Sequence, residues 1–285
     1  MMPTSAACMP CFVGQTIEAA KLATDAPATR EQILREVMAL LGEADWSRSP
    51  PDLSAEVHRI VRERSGNADP YAAAKRAHNR LALGLLPELE RRVAAAPDPL
   101  RAALRMVMAA NVIDLGINRQ LDEADVAAAV EGAWELPIAG DDAAFEGEVR
   151  AAGRILYLAD NAGELVFDRL LIERLPRDRV ILAVRGAPII NDVLRADAVE
   201  VGLADLVPII DNGYAAPGTV LGSCSKAFLA ALEAADLVVS KGQGNFETLT
   251  GCSRPTWFLL KAKCPVVAEL LGVPLGTLVI RREPV

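Results

Sequence analysis

Several polar side chains in this sequence follow directly after short apolar runs, in an arrangement suited to binding a cation. Asp160, Asn161 and Glu164 come after the apolar run 155–159, and Asp192 follows a second such run farther along the chain. Carboxylate and amide oxygens are the donors that Mg²⁺ and Mn²⁺ prefer. Two close carboxylates also repel one another unless a cation lies between them. The alternative interpretation is that these Asp and Asn residues cap the helices that follow.

A glycine-containing segment offers candidate phosphate ligands. Lys241, Gly242, Gly244 and Asn245 follow the apolar run 237–240. Glycine allows close approach of the backbone, and N–H groups at the start of a helix can bind phosphate oxygens. The segment holds only G-x-G and not a complete dinucleotide-binding or P-loop motif. A simple glycine-rich turn is therefore the alternative.

Three further residues are candidates for binding phosphate. Lys263 follows the apolar run 257–260, where its ammonium group could neutralise a phosphoryl group, although most lysines are solvated surface residues. Asn111 and Asp114 are three residues apart in an otherwise apolar helical stretch and therefore share one face. Polar groups on such a face need partners. They either cap a neighbouring element or point into the same crevice.

A parallel sheet is needed to bring these residues together. After about residue 151, short aliphatic or β-branched runs alternate with helical stretches, which predicts a mostly parallel sheet wrapped by helices. The predicted strands are 155–159, 180–184, 206–210, 237–240, 257–260 and 278–280. In open α/β sheets ligands bind at the carboxyl ends of the strands. The candidates that follow strands should thus gather at one edge.

The earlier part of the chain has a helical pattern, with apolar residues recurring at three- and four-residue spacing. Asp69 and Asp98 each precede a proline, and an N-cap followed by proline predicts a helix start. A plausible joint lies at Asp141. The prediction is a helical N-terminal region over 1–150 and an α/β metal- and phosphate-binding region over 151–285.

Composition excludes some classes of protein. The 285-residue chain has a net charge of −8 and a pI near 5.0, so it lacks the basic surface expected of a protein that binds nucleic acid or anionic membranes. No apolar run approaches the ~18 residues needed for a membrane span. The opening residues lack the pattern of a secretory signal. A cytoplasmic location is therefore expected.

Histidine and cysteine content restrict the metal chemistry. The two histidines, His58 and His78, are too few for a histidine-rich zinc site, so oxygen ligands are expected. Cys8 and Cys11 form a single C-x-x-C motif among five cysteines. They could bind a metal, undergo redox chemistry, or simply pack at the start of a helix.

Taken in order, segments over nearly the whole chain resemble the metal-dependent damage-control phosphatases, and in particular the mainly prokaryotic branch with an N-terminal C-x-x-C. The matching segments are 8–11, 69–71 with Lys75 and Asn79, 110–116, 160–164, 191–192, 241–247 and 263–268. The resemblance implies a three-layer α/β/α body preceded by a helical N-terminal region. The family hydrolyses phosphate esters of small metabolites, including sugar phosphates and damaged phosphometabolites.

The resemblance also implies a ligand set. One divalent cation (Mn²⁺, Ni²⁺, Co²⁺ or Mg²⁺) would be held by Asp160, Asn161 and Asp192. Phosphate contacts would come from Asn111, Asp114, the loop 242–245 and Lys263. We also expect Glu164 and Lys241 to contact substrate.

The leading hypothesis is therefore metal-assisted hydrolysis of a small phosphomonoester, with Asp160, Asp192 and Lys263 as catalytic residues. Asp160 would either attack phosphorus directly or activate water. A second hypothesis is carboxyl methyl transfer from S-adenosylmethionine, an activity associated with a relative, although the sequence lacks a typical methyltransferase loop. A third is a non-catalytic protein that binds a phosphometabolite.

Overall fold

The computed structural model describes residues 1–110, 131–132, 134 and 137–283, and within them seven strands form one sheet. The strands are β1 (Ile138–Gly140), β2 (Ile155–Leu158), β3 (Val180–Val184), β4 (Ile209–Asp211), β5 (Leu237–Lys241), β6 (Thr256–Lys261) and β7 (Leu278–Glu283). Their order across the sheet is β1-β7-β6-β5-β2-β3-β4. Every neighbouring pair is parallel except β6 and β7. The predicted mostly parallel sheet is confirmed.

Helices cover both faces of this sheet. They are α1 (Met9–Ala23), α2 (Pro27–Glu43), α3 (Pro50–Ser65), α4 (Ala72–Ala95), α5 (Pro99–Ala110), α6 (Asp142–Ala151), α7 (Glu164–Ile172), α8 (Arg195–Glu200), α9 (Lys226–Ala234), α10 (Gln243–Leu249) and α11 (Pro265–Leu271). Tyr157 of β2 packs in the core formed with α4 to α8, whereas Leu156 and Leu158 pack in the core formed with α9 to α11. Successive strand residues point to opposite faces, and the three-layer arrangement follows from this.

The helices α1, α2 and α3 enclose a smaller core of their own. Phe12, Ile33 and Val57 are buried in it. A side-chain cap starts α3, where the Ser49 hydroxyl accepts from the N–H of Asp52. None of the helices in the described residues is both long enough and apolar enough to cross a membrane.

Two features of the N-terminal part differ from the sequence pattern. β1 was not predicted, and it pairs with β7 just before Asp141, whose carboxylate caps α6 by accepting from Ala144 N–H at 2.8 Å. The helices α4 and α5 share a core with the sheet rather than with α1 to α3. A division of the chain at residue 150 stays a prediction.

The boundaries of the other elements follow local sequence. Asp98 accepts from the N–H of Arg101 at 3.0 Å and α5 begins at the proline between them, as expected. The predicted strand 206–210 starts late, because a 3₁₀ turn covers Leu203–Asp205. β2 lies between β3 and β5, with β6 on the far side of β5. Their carboxyl ends therefore form one edge, and the candidate residues follow it.

Candidate active site

The loops after β2 and β3 are joined by backbone hydrogen bonds. Val193 N–H donates to the carbonyl of Asp160 at 2.9 Å, and Asn161 and Asp192 form an isolated antiparallel bridge. The two predicted acids, distant in sequence, are thereby held on adjacent strand ends. Both lie largely out of solvent, with Asp160 8% and Asp192 2% exposed.

A buried arginine lies between these two carboxylates. Arg185 Nε donates to Asp192 Oδ2 at 2.7 Å, and its Nη2 is 3.8 Å from Asp160 Oδ1. The sequence analysis missed this residue. Its position gave a usable signal, because Arg185 is the first residue after β3 and follows five apolar ones.

Polar side chains from another loop and from α10 hold the guanidinium. Arg185 Nη1 donates to Thr219 Oγ1 at 3.2 Å and to Asn245 Oδ1 at 3.1 Å. Asn245 Nδ2 donates to the carbonyl of Lys241 at 2.8 Å. Arg185 Nη2 makes no hydrogen bond with any described residue. Asn245, predicted to contact phosphate, thus has both ends of its amide engaged within the protein.

Asn161 and Glu164 complete the acidic cluster. Asn161 Nδ2 donates to Asp160 Oδ2 at 3.0 Å and to Glu164 Oε1 at 2.9 Å. The side-chain oxygen of Asn161 accepts no hydrogen bond from any described residue. This leaves an amide oxygen beside the two carboxylates as a further donor for a cation.

The cluster carries more negative than positive charge. Burial raises the pKa of Asp160 well above its ordinary value, and Glu164 and Asp192 raise it further against the opposing effect of Arg185 and Lys263. Burial also raises the pKa of Asp192, although Arg185 opposes it. Asp160 and Asp192 thus share one guanidinium, and Glu164, which lies next to Asn161, adds negative charge near Asp160.

Glycine is required beside Asp160. A Cβ on Gly242 would lie 1.9 Å from Asp160 Oδ2, and the residue has a φ of +82°. A Cβ on Gly244 would lie 1.8 Å from the carbonyl of Pro217. The two glycines therefore permit close packing against the acid and against a neighbouring loop. Phosphate binding by their N–H groups stays a prediction.

Lys241 belongs to a separate buried charge cluster. It is 0% exposed; its Nζ is 2.8 Å from Asp168 Oδ1 and 3.7 Å from Glu164 Oε2. Tyr157 also donates to Asp168 Oδ1 at 2.8 Å. Burial alone would lower the pKa of Lys241, but Asp168 and Glu164 outweigh it and raise that pKa. The predicted contact of Lys241 with substrate has no support in this arrangement, because its ammonium group is sealed among carboxylates.

A cavity of about 340 Å³ opens onto the acidic cluster. Asp160, Asn161 and Asp192 lie at one side of it and Lys263 at its rim. The remaining lining includes Cys8, Cys11, Phe12, Gln15, Ser54, Gln243, Gly244, Glu247 and Cys264. Much of the opposite wall is thus supplied by α1 and α3. Asn111 and Asp114 lie outside the described residues.

A third carboxyl group, that of Glu247, lines this cavity. Glu247 Oε1 accepts from Gln243 Nε2 at 2.8 Å, and burial raises the pKa of Glu247 to about 7. Burial likewise raises the thiol pKa of Cys11 and of Cys264. No three His, Cys, Asp or Glu side chains in the described part of the chain are arranged to hold a metal ion. The role of the C-x-x-C motif stays open.

Residues of α4 support the turn that carries the first acid. Asn79 Oδ1 accepts from the N–H of Gly163 at 2.8 Å, and its Nδ2 donates to Asp197 Oδ1 at 3.2 Å. Lys75 Nζ is 2.8 Å from Asp69 Oδ2. These matching segments of the sequence therefore position the site rather than line it.

The loop before Asp192 contains an unusual backbone conformation. Ile190 has a φ of +41°, in the region that β-branched residues avoid. Its side chain packs against the core of α1 to α3, and Arg62 of α3 donates to the carbonyl of Pro188 at 2.9 Å. Such a conformation costs about 1–3 kcal/mol and persists only where surrounding contacts hold it.

The fold agrees with what comparison to known proteins shows. The chain matches the family model "Damage-control phosphatase ARMT1-like domain" over residues 4–279. It therefore belongs to the damage-control phosphatase family, as the sequence resemblance implied. Membership of the prokaryotic branch stays a prediction.

Individual relatives are similar over their whole length. A damage-control phosphatase of Archaeoglobus fulgidus is 33% identical, the match covering 98% of this chain and 99% of the relative. The damage-control phosphatase PH1575 of Pyrococcus horikoshii is 32% identical, with 97% and 96% covered. A crystal structure of a DUF89 family protein (PH1575) from that organism superimposes with a TM-score of 0.92 at 30% identity, covering 100% of both chains. The family model and the named relatives together support a phosphatase activity for this protein.

Proposed function

We propose that this protein hydrolyses phosphate monoesters of small metabolites, such as sugar phosphates, with one divalent cation bound at Asp160, Asn161 and Asp192. The observation that carries the proposal is the convergence of these three side chains on one cavity of about 340 Å³. A cavity of this size suits a small metabolite. The family assignment supports phosphatase chemistry for that cavity.

The donor set fits a hard divalent cation. It contains two carboxylates and an amide, and the excess negative charge of the cluster favours a bound cation. Mg²⁺ and Mn²⁺ match all-oxygen donors best, and Ni²⁺ and Co²⁺ are the other candidates. Such a cation, when bound, supplies Lewis-acid polarisation of a phosphoryl oxygen.

Three side chains would supply orientation, charge neutralisation, and attack on phosphorus or activation of water. Arg185 orients Asp192 through a 2.7 Å hydrogen bond and lowers the repulsion between the acids. Lys263, exposed at the rim, attracts the dianionic phosphate and offsets its charge. Asp160, packed against Gly242, either attacks phosphorus or takes a proton from the attacking water.

The test is release of inorganic phosphate from a panel of phosphate esters with Mn²⁺, Co²⁺, Ni²⁺ or Mg²⁺. Activity should require one of these metals and should disappear with EDTA. Mn²⁺ binding, followed by electron paramagnetic resonance, should be lost in Asp192→Asn. Asp178→Asn is the matched control, because Asp178 is exposed just before β3 whereas Asp192 follows the same strand.

Two outcomes would contradict the proposal. One is phosphate release that survives EDTA. The other is unchanged Mn²⁺ binding in Asp192→Asn. Thermal stabilisation by S-adenosylmethionine, without stabilisation by Mn²⁺ and phosphate, would favour the methyltransferase hypothesis instead.

A further inference from the structure

Glu247 stands apart from the acidic cluster and lines the same cavity. It lies in α10, it is 7% exposed, and no Lys or Arg in the described residues forms an ion pair with it. Neither the cation site proposed above nor the phosphate contacts use this carboxyl group. Buried carboxyl groups without a cationic partner are costly in a purely structural role.

Gln243 fixes the position of this carboxyl group. Gln243 Nε2 donates to Glu247 Oε1 at 2.8 Å, and Gln243 Oε1 accepts from the backbone N–H of Lys263 at 2.9 Å. The glutamine amide therefore connects Glu247 to the segment that carries the rim lysine. Glu247 Oε2 accepts no hydrogen bond from a described residue, so it is available to a ligand in the cavity.

Burial is the main cause of the raised pKa of Glu247, and the titratable groups that interact with this carboxyl group are thiols. They are Cys11 of α1 and Cys264 just before α11, and Cys8, in the short turn before α1, interacts with both thiols. The helix α3, which also packs on α10, contributes only two prolines and a serine to the cavity wall. The ammonium group of Met1 is a cation on a neighbouring segment. It donates to the carbonyl of Thr250, which lies just after the end of α10. With no cation beside it, burial raises the pKa of Glu247 to about 7.

We propose that Glu247 is the general acid that protonates the leaving oxygen of the phosphate ester. This inference rests on the proposed phosphatase function. It assigns the acidic cluster to the phosphoryl group and the part of the cavity lined by Glu247 to the alcohol portion of the substrate. A carboxyl group that is protonated near the working pH is suited to this task.

Water is the only other reactant that this hydrolysis step requires. The bond between phosphorus and the leaving oxygen breaks, and the Glu247 proton moves to that oxygen, so a neutral alcohol departs. The oxygen of a water molecule ends on phosphorus, either directly or by hydrolysis of a phosphorylated Asp160. That water gives up one proton to solvent, and Glu247 takes a proton back from solvent.

The experiment compares two esters that differ in their need for an acid. Departure of an alkoxide from ethyl phosphate requires protonation, whereas the leaving group of 2,4-dinitrophenyl phosphate is stable as an anion. In Glu247→Gln, which keeps the size and the hydrogen bond from Gln243, kcat/KM for ethyl phosphate should fall about 100-fold more than for the dinitrophenyl ester. Glu269→Gln, an exposed carboxyl group of α11, is the control and should leave that ratio unchanged.

A pH profile provides the second measurement. For wild-type enzyme with ethyl phosphate, kcat/KM should fall as pH rises through the range around 7, since Glu247 then loses its proton. This alkaline limb should be absent in Glu247→Gln. Circular dichroism establishes that the variant is folded.

The outcomes separate this inference from the proposed function. If wild-type protein releases phosphate from neither ester with any of the four metals, the phosphatase proposal itself fails. If it hydrolyses both, and Glu247→Gln loses both equally or neither, Glu247 is not the general acid while the phosphatase function stands.

Discussion

Two clusters of buried charge are neighbours, and they differ in whether they face the cavity. In the first, Lys241 contacts Asp168 at 2.8 Å and is sealed from solvent. In the second, Asp160 and Asp192 share the single guanidinium of Arg185 and line a cavity. The first, sealed cluster is enclosed within the protein, whereas the second, open cluster presents its carboxylates to the cavity.

The difference shows how burial and partners separate structural from functional polar residues. Lys241, Asp160 and Asp192 all end or follow apolar strands, so position alone does not distinguish them. A lysine whose ammonium group is paired within the protein contributes to stability. Acids that lack enough partners and face a cavity are better candidates for binding and chemistry.

The largest effect is expected in the open cluster. Asp192→Asn should lower kcat/KM for phosphate esters on the order of 10⁴-fold, because it removes a proposed cation ligand and the anionic partner of Arg185. Steady-state kinetics with saturating Mn²⁺ measures this. A decrease in kcat/KM of less than about tenfold would indicate that the reaction takes place at a different site.

In the sealed cluster, a substitution should change the stability of the protein. Lys241→Met leaves the carboxylate of Asp168 buried without its cation and should lower the free energy of unfolding by about 3–5 kcal/mol, measured by urea denaturation. The double variant Lys241→Met with Asp168→Leu should recover part of that loss. A stable but inactive Lys241→Met would instead restore the predicted contact between Lys241 and substrate.

Gly242 lies between the two clusters, because it follows Lys241 in the chain and packs on Asp160. Gly242→Ala places a methyl group 1.9 Å from Asp160 Oδ2, so the acid must move. A displacement of about 1 Å at a reacting group can lower kcat/KM about 100-fold. Gly222→Ala, where an added Cβ meets no atom within 4 Å, serves as the control. Equal activity of the two variants would show that the position of Asp160 is unimportant.

The smallest effect is expected at the rim of the cavity. Lys263→Met should raise KM for a dianionic ester and lower kcat/KM about tenfold, because one attractive charge is lost. Its free energy of unfolding should stay within about 0.5 kcal/mol of wild type, because the side chain is exposed. Paired kinetic and denaturation measurements on Lys263→Met and Lys241→Met would therefore give opposite patterns. Similar patterns in the two variants would remove the contrast between the clusters.

Much of the fold could be predicted from the sequence because the central strands are continuous apolar runs between turn signals. The position of Asp160 and Asp192 followed from those strands together with the rule that parallel strands end at one edge. β1 could not be predicted in the same way. It has three residues, and it is a strand only because β7 pairs with it.

The direction of side chains explains why the sequence alone did not show that Lys241 is paired within the protein. Leu237, Val239 and Lys241 alternate along β5 onto one face, and the first two pack in the core with α4 to α8. The period of two therefore directs Lys241 beneath that helical layer, toward Asp168 of α7. The position of Arg185 depends on Thr219 and Asn245, which are far away in sequence and which only the folded structure brings near.

The left-handed residue Ile190 couples assembly of the N-terminal helices to the geometry of the acidic loop. Its backbone is held because its side chain is embedded among α1 to α3, and Asp192 lies two residues farther on. When those helices are detached, that embedding is lost and the loop relaxes toward ordinary torsion angles. We therefore expect the orientation of Asp192 to depend on the packing of α1 to α3 against this loop.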